Sequence, residues 1–350
     1  MFYVLPIVVG IISLPSFISR NEREGRIAFI LFMCALMVLT GLRKTSPFPD
    51  MVNYEVFFFT GEYYASWSTT EGVNIGYQLL NNLFHWTNSF QVFVFFVTLF
   101  IFLGFTRTID LYSPYLFLSL FIFLIVDFHL SCFLLRQYLA VTVCLLSIPS
   151  IIDRRFVLFL VCMIVAISLH TSAVVFVPLY FLYRTDVSHP HKVWLLAGFI
   201  VASVLSGVIT SIISGFLNNY YQHYLGEEGT GSLARLIMKC YLVLLYLYAL
   251  KDKVWEEGIN QVVFYMMLTS IVICSAGLSI PIFFRLRMLF SISEIIGIPI
   301  ILKYCKDYHS FKRLIVDSMI VIYIIVLAIS FNNTLIDNSI TDALTFFWIN

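Results

Sequence analysis

Four arginines lie at the ends of long apolar runs, where a membrane-embedded chain tolerates charge least. They are Arg43, Arg136, Arg285 and Arg287. A charged side chain in a bilayer costs about 2.5 to 3.5 kcal/mol on insertion scales, so such residues usually face a polar cavity and pair with an opposite charge. Arginine also offers a planar fork of donors that suits phosphate oxygens. The four together predict a site for a multiply charged anion.

A histidine interrupts another apolar run. His170 follows Ser168-Leu169 and precedes Thr171-Ser172. An imidazole with an unperturbed pKa near ~6.5 can take a proton from a hydroxyl group at neutral pH. A lone intramembrane histidine is as often a hydrogen-bonded packing residue. Both interpretations of His170 stay open at this point.

Composition places these residues in a polytopic membrane protein. The chain has 350 residues, of which 60% are hydrophobic and 12% charged, with a net charge of +1. These values exclude a soluble domain and give no support for nucleic-acid binding. No nucleotide-binding or hydrolase motif occurs, and no cluster has metal-ligand spacing, so we expect neither a cofactor nor a metal. The seven cysteines fall mostly in apolar runs and are interpreted as packing residues.

The apolar runs predict about twelve helical segments in a single integral-membrane domain, residues 1–350. Ten are placed at 2–19, 27–42, 89–105, 115–133, 137–152, 193–213, 235–250, 260–279, 286–302 and 314–331. The run from Phe156 to Tyr183 would be ~42 Å long as one helix, against a hydrocarbon core of ~30 Å. We therefore predict two half-helices that meet at His170 and return to the same side.

The distribution of basic residues favours this split. With it, 14 of the 21 lysines and arginines lie in inside loops, as the positive-inside rule requires, and both termini lie outside. Without it, the basic segments near 251 and 303–313 would be external. The split also sends Arg43, Arg136, Arg285 and Arg287 to the outer side.

Two external loops, about 43–88 and 214–234, are rich in tyrosine, asparagine, glycine and acids. Aromatic rings beside amides and carboxylates suit the faces and hydroxyl edges of sugars, and Asp50, Tyr54 and Tyr77 are the candidates for this contact. The same composition is typical of an interfacial aromatic belt. Arg43 and Asp50 could equally form a surface ion pair worth ~0 to 1 kcal/mol.

Several short motifs follow one another in a characteristic order. They are Gly41-x-Arg43 with Asp50-x-x-x-Tyr54, Gly76-Tyr77-x-Leu79-Leu80-Asn81, Arg136-Gln137-x-x-Ala140, His170-x-Ser172-Ala173, and Arg285 followed by Phe290. In this order the chain resembles the EpsG family of exopolysaccharide and O-antigen polymerases, the Wzy-like proteins. The resemblance covers most of the chain.

The resemblance implies a metal-independent glycosyltransferase with a GT-C-like fold in the bacterial inner membrane. Its expected reaction transfers a growing glycan from undecaprenyl pyrophosphate to a lipid-linked repeat unit at the outer face. We expect His170 to act as general base while Arg136 and Arg285, aided by Arg43 or Arg287, hold the pyrophosphate. Asp50, Tyr54, Tyr77 and Gln137 would complete the substrate-binding site.

Two other functions use the same residues. A flippase or transporter of lipid-linked sugars would bind the pyrophosphate without chemistry, and an O-antigen ligase would use the same donor with another acceptor. Because the four arginines are all predicted on the outer side of the membrane, they favour an enzyme that acts at the outer face over a transporter. Expected partners are the lipid-linked oligosaccharide, the bilayer and, as a further candidate, a chain-length regulator.

Overall fold

The chain forms helices and no strand in the part that the structure describes, which confirms the all-α class. The computed structural model describes residues 22–43, 49–61, 74–183, 196–206, 232–278, 281–306 and 310–337. The α-helices are α1 (Glu22–Gly41), α2 (Pro49–Thr60), α3 (Ile75–His85), α4 (Phe90–Tyr112), α5 (Leu116–Val126), α6 (Phe128–Ser131), α7 (Leu135–Leu146), α8 (Ile148–Ile152), α9 (Phe156–Leu169), α10 (Pro178–Leu182), α11 (Leu196–Ser206), α12 (Ser232–Leu250), α13 (Lys253–Glu256), α14 (Gly258–Gly277), α15 (Ile292–Cys305) and α16 (Ser310–Asp337). Two 3-10 helices cover Thr171–Phe176 and Pro281–Phe290.

Six helical stretches of the described chain are long and apolar enough to cross a membrane. They are Arg23–Gly41, Phe90–Tyr112, Leu135–Ile152, Leu233–Leu250, Gly258–Gly277 and Leu286–Cys305. Each lies on a span that the sequence predicts, which confirms a multi-pass membrane protein. The predicted span 2–19 lies outside the described residues. The total of twelve segments and the GT-C-like arrangement stay predictions.

The helices divide into two compact units that alternate along the sequence. The first unit holds α1 to α7, residues 157–174 and the chain from Val321 onward; the second holds Ile148–Phe156 and Val175–Ile320. Helix α16 is therefore shared between the units. The single domain over residues 1–350 stays a prediction.

Close helix packing in the first unit depends on a small residue. A Cβ atom at Gly104 in α4 would overlap the side chain of Thr142 in α7. Without that atom the two helices approach closely, as small residues allow in membrane proteins. Aromatic side chains fill the adjacent core, where Phe105 packs on Phe123 at 4.9 Å and on Tyr138 at 6.2 Å between ring centroids.

The lipid-facing surfaces are visible as exposed apolar side chains. Val157 and Ile164 of α9 are 74% and 59% exposed, whereas most of the stretch Leu286–Cys305 is buried. Large exposed apolar surface on a water-soluble protein would be unstable, but it is compatible with lipid. Helix α9 therefore borders the bilayer and α15 forms part of the core of the second unit.

Candidate functional site

The run from Phe156 to Tyr183 is broken at His170, as its length predicted. Helix α9 ends with a bond from the His170 N–H to the Ala166 carbonyl oxygen at 2.9 Å. A 3-10 helix begins at Thr171, and its first turn is closed by the Ala173 N–H and the His170 carbonyl oxygen at 3.1 Å. His170 is the residue between the two helices.

The chain after the break returns to the place where α9 begins. The ring of Phe156 packs on those of Tyr180 and Phe181, with centroids 5.3 and 6.4 Å apart. The segments before and after His170 therefore form a hairpin, which confirms the prediction that the chain turns back after the break. Two short arms in place of a ~42 Å helix fit within the ~30 Å hydrocarbon core.

Arg154 closes the hairpin at its open end. Its Nη1 donates to the carbonyl oxygens of Tyr180 and Tyr183, at 2.8 Å each. Its guanidinium carbon lies 4.7 Å from the centroid of the Tyr180 ring, and the Tyr180 hydroxyl donates to the Arg154 carbonyl oxygen at 3.0 Å. The carbonyls at the end of α10 have no helical partner, so a cation there satisfies them.

Arg136 lies in the first turn of α7 and is half-buried. Leu134 precedes the helix and supplies no side-chain cap, so α7 presents backbone N–H groups beside a guanidinium. The guanidinium carbon of Arg136 lies 6.0 Å from the centroid of the Tyr77 ring. This combination of charge and N–H donors suits phosphate oxygens.

Tyr77 connects Arg136 to the break at His170. The Tyr77 ring is fully buried and packs on Tyr54 with centroids 5.7 Å apart. Its neighbour Gly76 touches the end of α9, since a Cβ there would lie 2.8 Å from the carbonyl carbon and oxygen of Ser168. The structure therefore places Tyr54, Tyr77, Arg136 and the break in one part of the first unit.

The predicted external loop at residues 43–88 contains two helices where the structure describes it, and its external location stays a prediction. Helices α2 and α3 occupy Pro49–Thr60 and Ile75–His85. Tyr54 and Tyr77 are buried in the packing between helices, and the Tyr77 ring lies against Arg136. The predicted contact of these two rings with sugars stays a prediction. Asp50 lies in the first turn of α2, where a carboxylate interacts favourably with the positive end of the helix dipole. The loop predicted at 214–234 lies almost wholly outside the described residues.

Gln137 and Arg43 are both buried. Arg43 Nη1 donates to the Thr40 carbonyl oxygen at 2.5 Å and to Thr98 Oγ1 at 3.2 Å. Its Nη2 donates to the Cys132 carbonyl oxygen, in the segment between α6 and α7. Burial lowers the pKa of Arg43 below its ordinary value. The alternative of a surface pair with Asp50 is therefore wrong, because Arg43 is buried and its donors bind Thr40, Thr98 and Cys132. The role of Arg43 in holding substrate stays a prediction.

Sequence reasoning missed two polar residues that precede α7. Asp127 and His129 are 1% and 4% exposed, and Asp127 Oδ1 accepts a hydrogen bond from the Tyr138 hydroxyl at 2.8 Å. They lie where α5 ends and the short helix α6 begins. The signal was available in the sequence as an acid and a histidine two residues apart within an apolar run. The bond between Asp127 and Tyr138 helps to fix the start of the helix that carries Arg136.

The second unit carries its own cluster of charges. Lys239 of α12 forms a buried ion pair with Glu294 of α15. Arg235 lies one helical turn before Lys239 and interacts electrostatically with Arg287. Arg287 is half-buried, while the side chain of Arg285 lies outside the described residues. Sequence reasoning assigned no role to Arg235 and Lys239, although basic residues four positions apart on an apolar helix were a visible signal.

These features define a helical membrane protein with arginine side chains at helix ends and a broken helix beside one of them. The sequence model of the EpsG family matches residues 26–341 of the chain. The chain belongs to the EpsG family, which confirms the resemblance. Membership implies a glycosyltransferase-like polymerase of polysaccharide biosynthesis. No curated protein and no solved structure matches the chain.

Proposed function

We propose that this protein extends a polysaccharide by moving a growing glycan from undecaprenyl pyrophosphate to a lipid-linked repeat unit. The reaction takes place at the outer face of the bacterial inner membrane. Family membership supports the reaction class, and the placement of the arginines in the sequence supports the outer face. A chain-length regulator is a further partner to test.

Arg136 is the residue that carries the proposal. It is half-buried at a helix start without a side-chain cap and rests on the ring of Tyr77. The Tyr77 ring restricts the Arg136 side chain through a cation–π contact, and the start of α7 adds backbone N–H donors beside the guanidinium. Bidentate bonds from a guanidinium to phosphate oxygens are roughly twice as strong as neutral hydrogen bonds.

A diphosphate is a leaving group that needs stabilisation of charge more than protonation. Negative charge grows on its oxygens as the bond to the anomeric carbon breaks, and fixed cations lower the free energy of that state. Arg136 would supply one of these cations. The contributions of Arg285 and Arg287 stay predictions from the sequence. For His170 the role of general base on the acceptor hydroxyl stays a prediction.

The decisive experiment combines the purified protein with lipid-linked repeat units. The proposal expects longer lipid-linked chains from the wild type and none from Arg136→Ala, with unchanged protein level and melting temperature in detergent. Arg107→Ala, at an exposed position of α4, is the matched control and should polymerise normally. Transfer to another lipid would indicate a ligase, and relocation across vesicles without product would indicate a flippase. Normal chains from Arg136→Ala would remove this residue from the mechanism.

A further inference from the structure

The short helix α3 exposes two stripes of opposite polarity. At ~100° of rotation per residue, its exposed side chains fall into two adjoining groups, each within roughly 80° of the helix circumference. The apolar stripe consists of Ile75, Leu79, Leu83 and Trp86, which are 67%, 62%, 64% and 83% exposed. The polar stripe consists of the exposed residues Gln78, Asn82 and His85. Trp86 follows the last residue of α3 in helical backbone conformation and continues the apolar stripe.

The remaining face of α3 packs on the protein. Tyr77 and Asn81, one turn apart, are its buried residues. The Phe84 ring lies 5.3 Å from that of Phe96 in α4, between centroids. Helix α3 is therefore held from one side, and both stripes lie on its outside.

Helix α3 crosses the beginning of α4. Tyr77 and Phe84 are seven positions apart, or ~10 Å along a helix axis, yet both rings pack on Phe93, with centroids 6.0 and 5.9 Å away. Two helices that ran side by side would match residues seven apart on one with residues about seven apart on the other. Because both rings meet one residue in the first turns of α4, α3 lies across that end of α4.

Two candidate spans begin beside α3. One is Phe90–Tyr112, whose first turns contact α3, and the other is Leu135–Ile152, which carries Arg136 against the Tyr77 ring. With 11 residues, α3 is ~16 Å long and cannot cross a hydrocarbon core of ~30 Å. Its place at the ends of two spans corresponds to the depth of the lipid head groups.

We propose that α3 lies in the plane of the membrane interface and binds phospholipid through its apolar stripe. The apolar stripe inserts among the acyl chains, and the polar stripe faces water. Division of one helix surface into adjoining apolar and polar parts is typical of helices that lie in this plane. Tryptophan, as at the end of this stripe, is enriched at the same depth.

This position determines the depth of Arg136. The Tyr77 ring belongs to α3 and contacts the Arg136 guanidinium, so an interfacial α3 places that cation at the level of the head-group phosphates. A diphosphate on a lipid carrier lies at the same level. This consequence rests on the proposed function, whereas the lipid contact of α3 does not.

Fluorescence quenching in phospholipid vesicles tests the lipid contact. The chain has five tryptophans, and the emission lost in Trp86→Phe is that of Trp86 alone. We expect bromine atoms on the acyl chains near the head group to remove most of this emission. Bromine atoms near the chain ends should remove less, and iodide in the water should remove little.

A matched pair of variants tests the two stripes in the Trp86→Phe background. The added emission of Leu79→Trp should be lost with the brominated lipids, and that of Asn82→Trp should be lost with iodide. Melting temperatures in detergent verify folding. The inference is overturned if iodide alone quenches Trp86, since α3 would then lie in water. It is also overturned if the deepest bromines quench Trp86 most, or if neither quencher reaches it because protein covers the stripe. Chain growth is measured separately, so its failure would remove the proposed function and leave the lipid contact standing.

Discussion

The two units stabilise a buried cation in different ways. Lys239 in the second unit is neutralised by the carboxylate of Glu294, so the pair carries no net charge. Arg43 in the first unit keeps its charge and donates to three oxygen atoms, the carbonyls of Thr40 and Cys132 and the hydroxyl of Thr98. The first arrangement depends on charge balance, and the second depends on the geometry of a guanidinium that can reach several segments at once.

Burial alone therefore does not identify a substrate-binding arginine. Arg43 and Arg136 both lie at helix ends, yet the donors of Arg43 are directed at backbone and hydroxyl oxygens of the protein. Arg136 is only half-buried and lies over an aromatic ring. The contacts of Arg43 therefore give it a role in the framework, and the anion-binding role of Arg136 stays a proposal.

The largest effect on stability should come from removing one partner of the buried pair. Glu294→Ala would leave the Lys239 ammonium buried without its carboxylate, at a cost of about 3 to 5 kcal/mol. A fall in melting temperature in detergent measures this loss. The double variant Lys239→Met with Glu294→Leu should recover most of it. Asp317→Ala breaks an exposed pair with Arg313 and should change little; an equally small effect at Glu294 would show that the buried pair is not required.

Replacement of Arg43 by lysine tests the geometric arrangement. An ammonium retains the charge but cannot reach all three acceptors in the same directions, and each buried acceptor left without a donor costs about 1 to 3 kcal/mol. We expect a lower melting temperature for Arg43→Lys and no change for Arg107→Lys. If Arg43→Lys keeps the wild-type melting temperature but makes no polymer, a substrate-binding role for Arg43 is supported.

The contact between Gly76 and the end of α9 should be less costly to disturb. A methyl group there would lie 2.8 Å from the backbone of Ser168, and overpacking of this kind costs about 1 to 3 kcal/mol. Gly76→Ala should therefore lower both the melting temperature and the rate of chain growth, because it displaces α3 from the break. Gly198→Ala has no neighbouring atom within 4 Å and is the control. If Gly76→Ala keeps wild-type activity, the position of Tyr77 beside the break is not required for the reaction.

The smallest effect is expected at the open end of the hairpin. Arg154→Ala removes two hydrogen bonds from an exposed residue, for a loss of about 1 kcal/mol. Faster hydrogen exchange in residues 171–183 should accompany it, since the returning arm loses its attachment. Arg155→Ala, which removes only an exposed pair with Asp153, should leave exchange unchanged. Equal exchange in both variants would show that aromatic packing alone holds the arm.

The sequence predicted the break at His170 because length is a local property: one helix of 28 residues is too long for a bilayer. It did not predict the two helices within residues 43–88, where glycine, asparagine and tyrosine are frequent. Helices α2 and α3 have 12 and 11 residues, too short to produce the apolar run by which a spanning helix is found. Their amphipathic packing on other helices, and not their composition, stabilises them.

The membrane location, the described spans and the interruption at His170 follow from the amino-acid sequence, because hydropathy, residue counts and the distribution of charge specify them. The partners of the buried cations Arg43 and Lys239 depend on the packing of the helices. Arg43 finds partners 55 and 89 residues away in Thr98 and Cys132, while Lys239 finds Glu294 on another helix. Partners at such separations are chosen by helix packing, because no local pattern specifies which donor meets which acceptor.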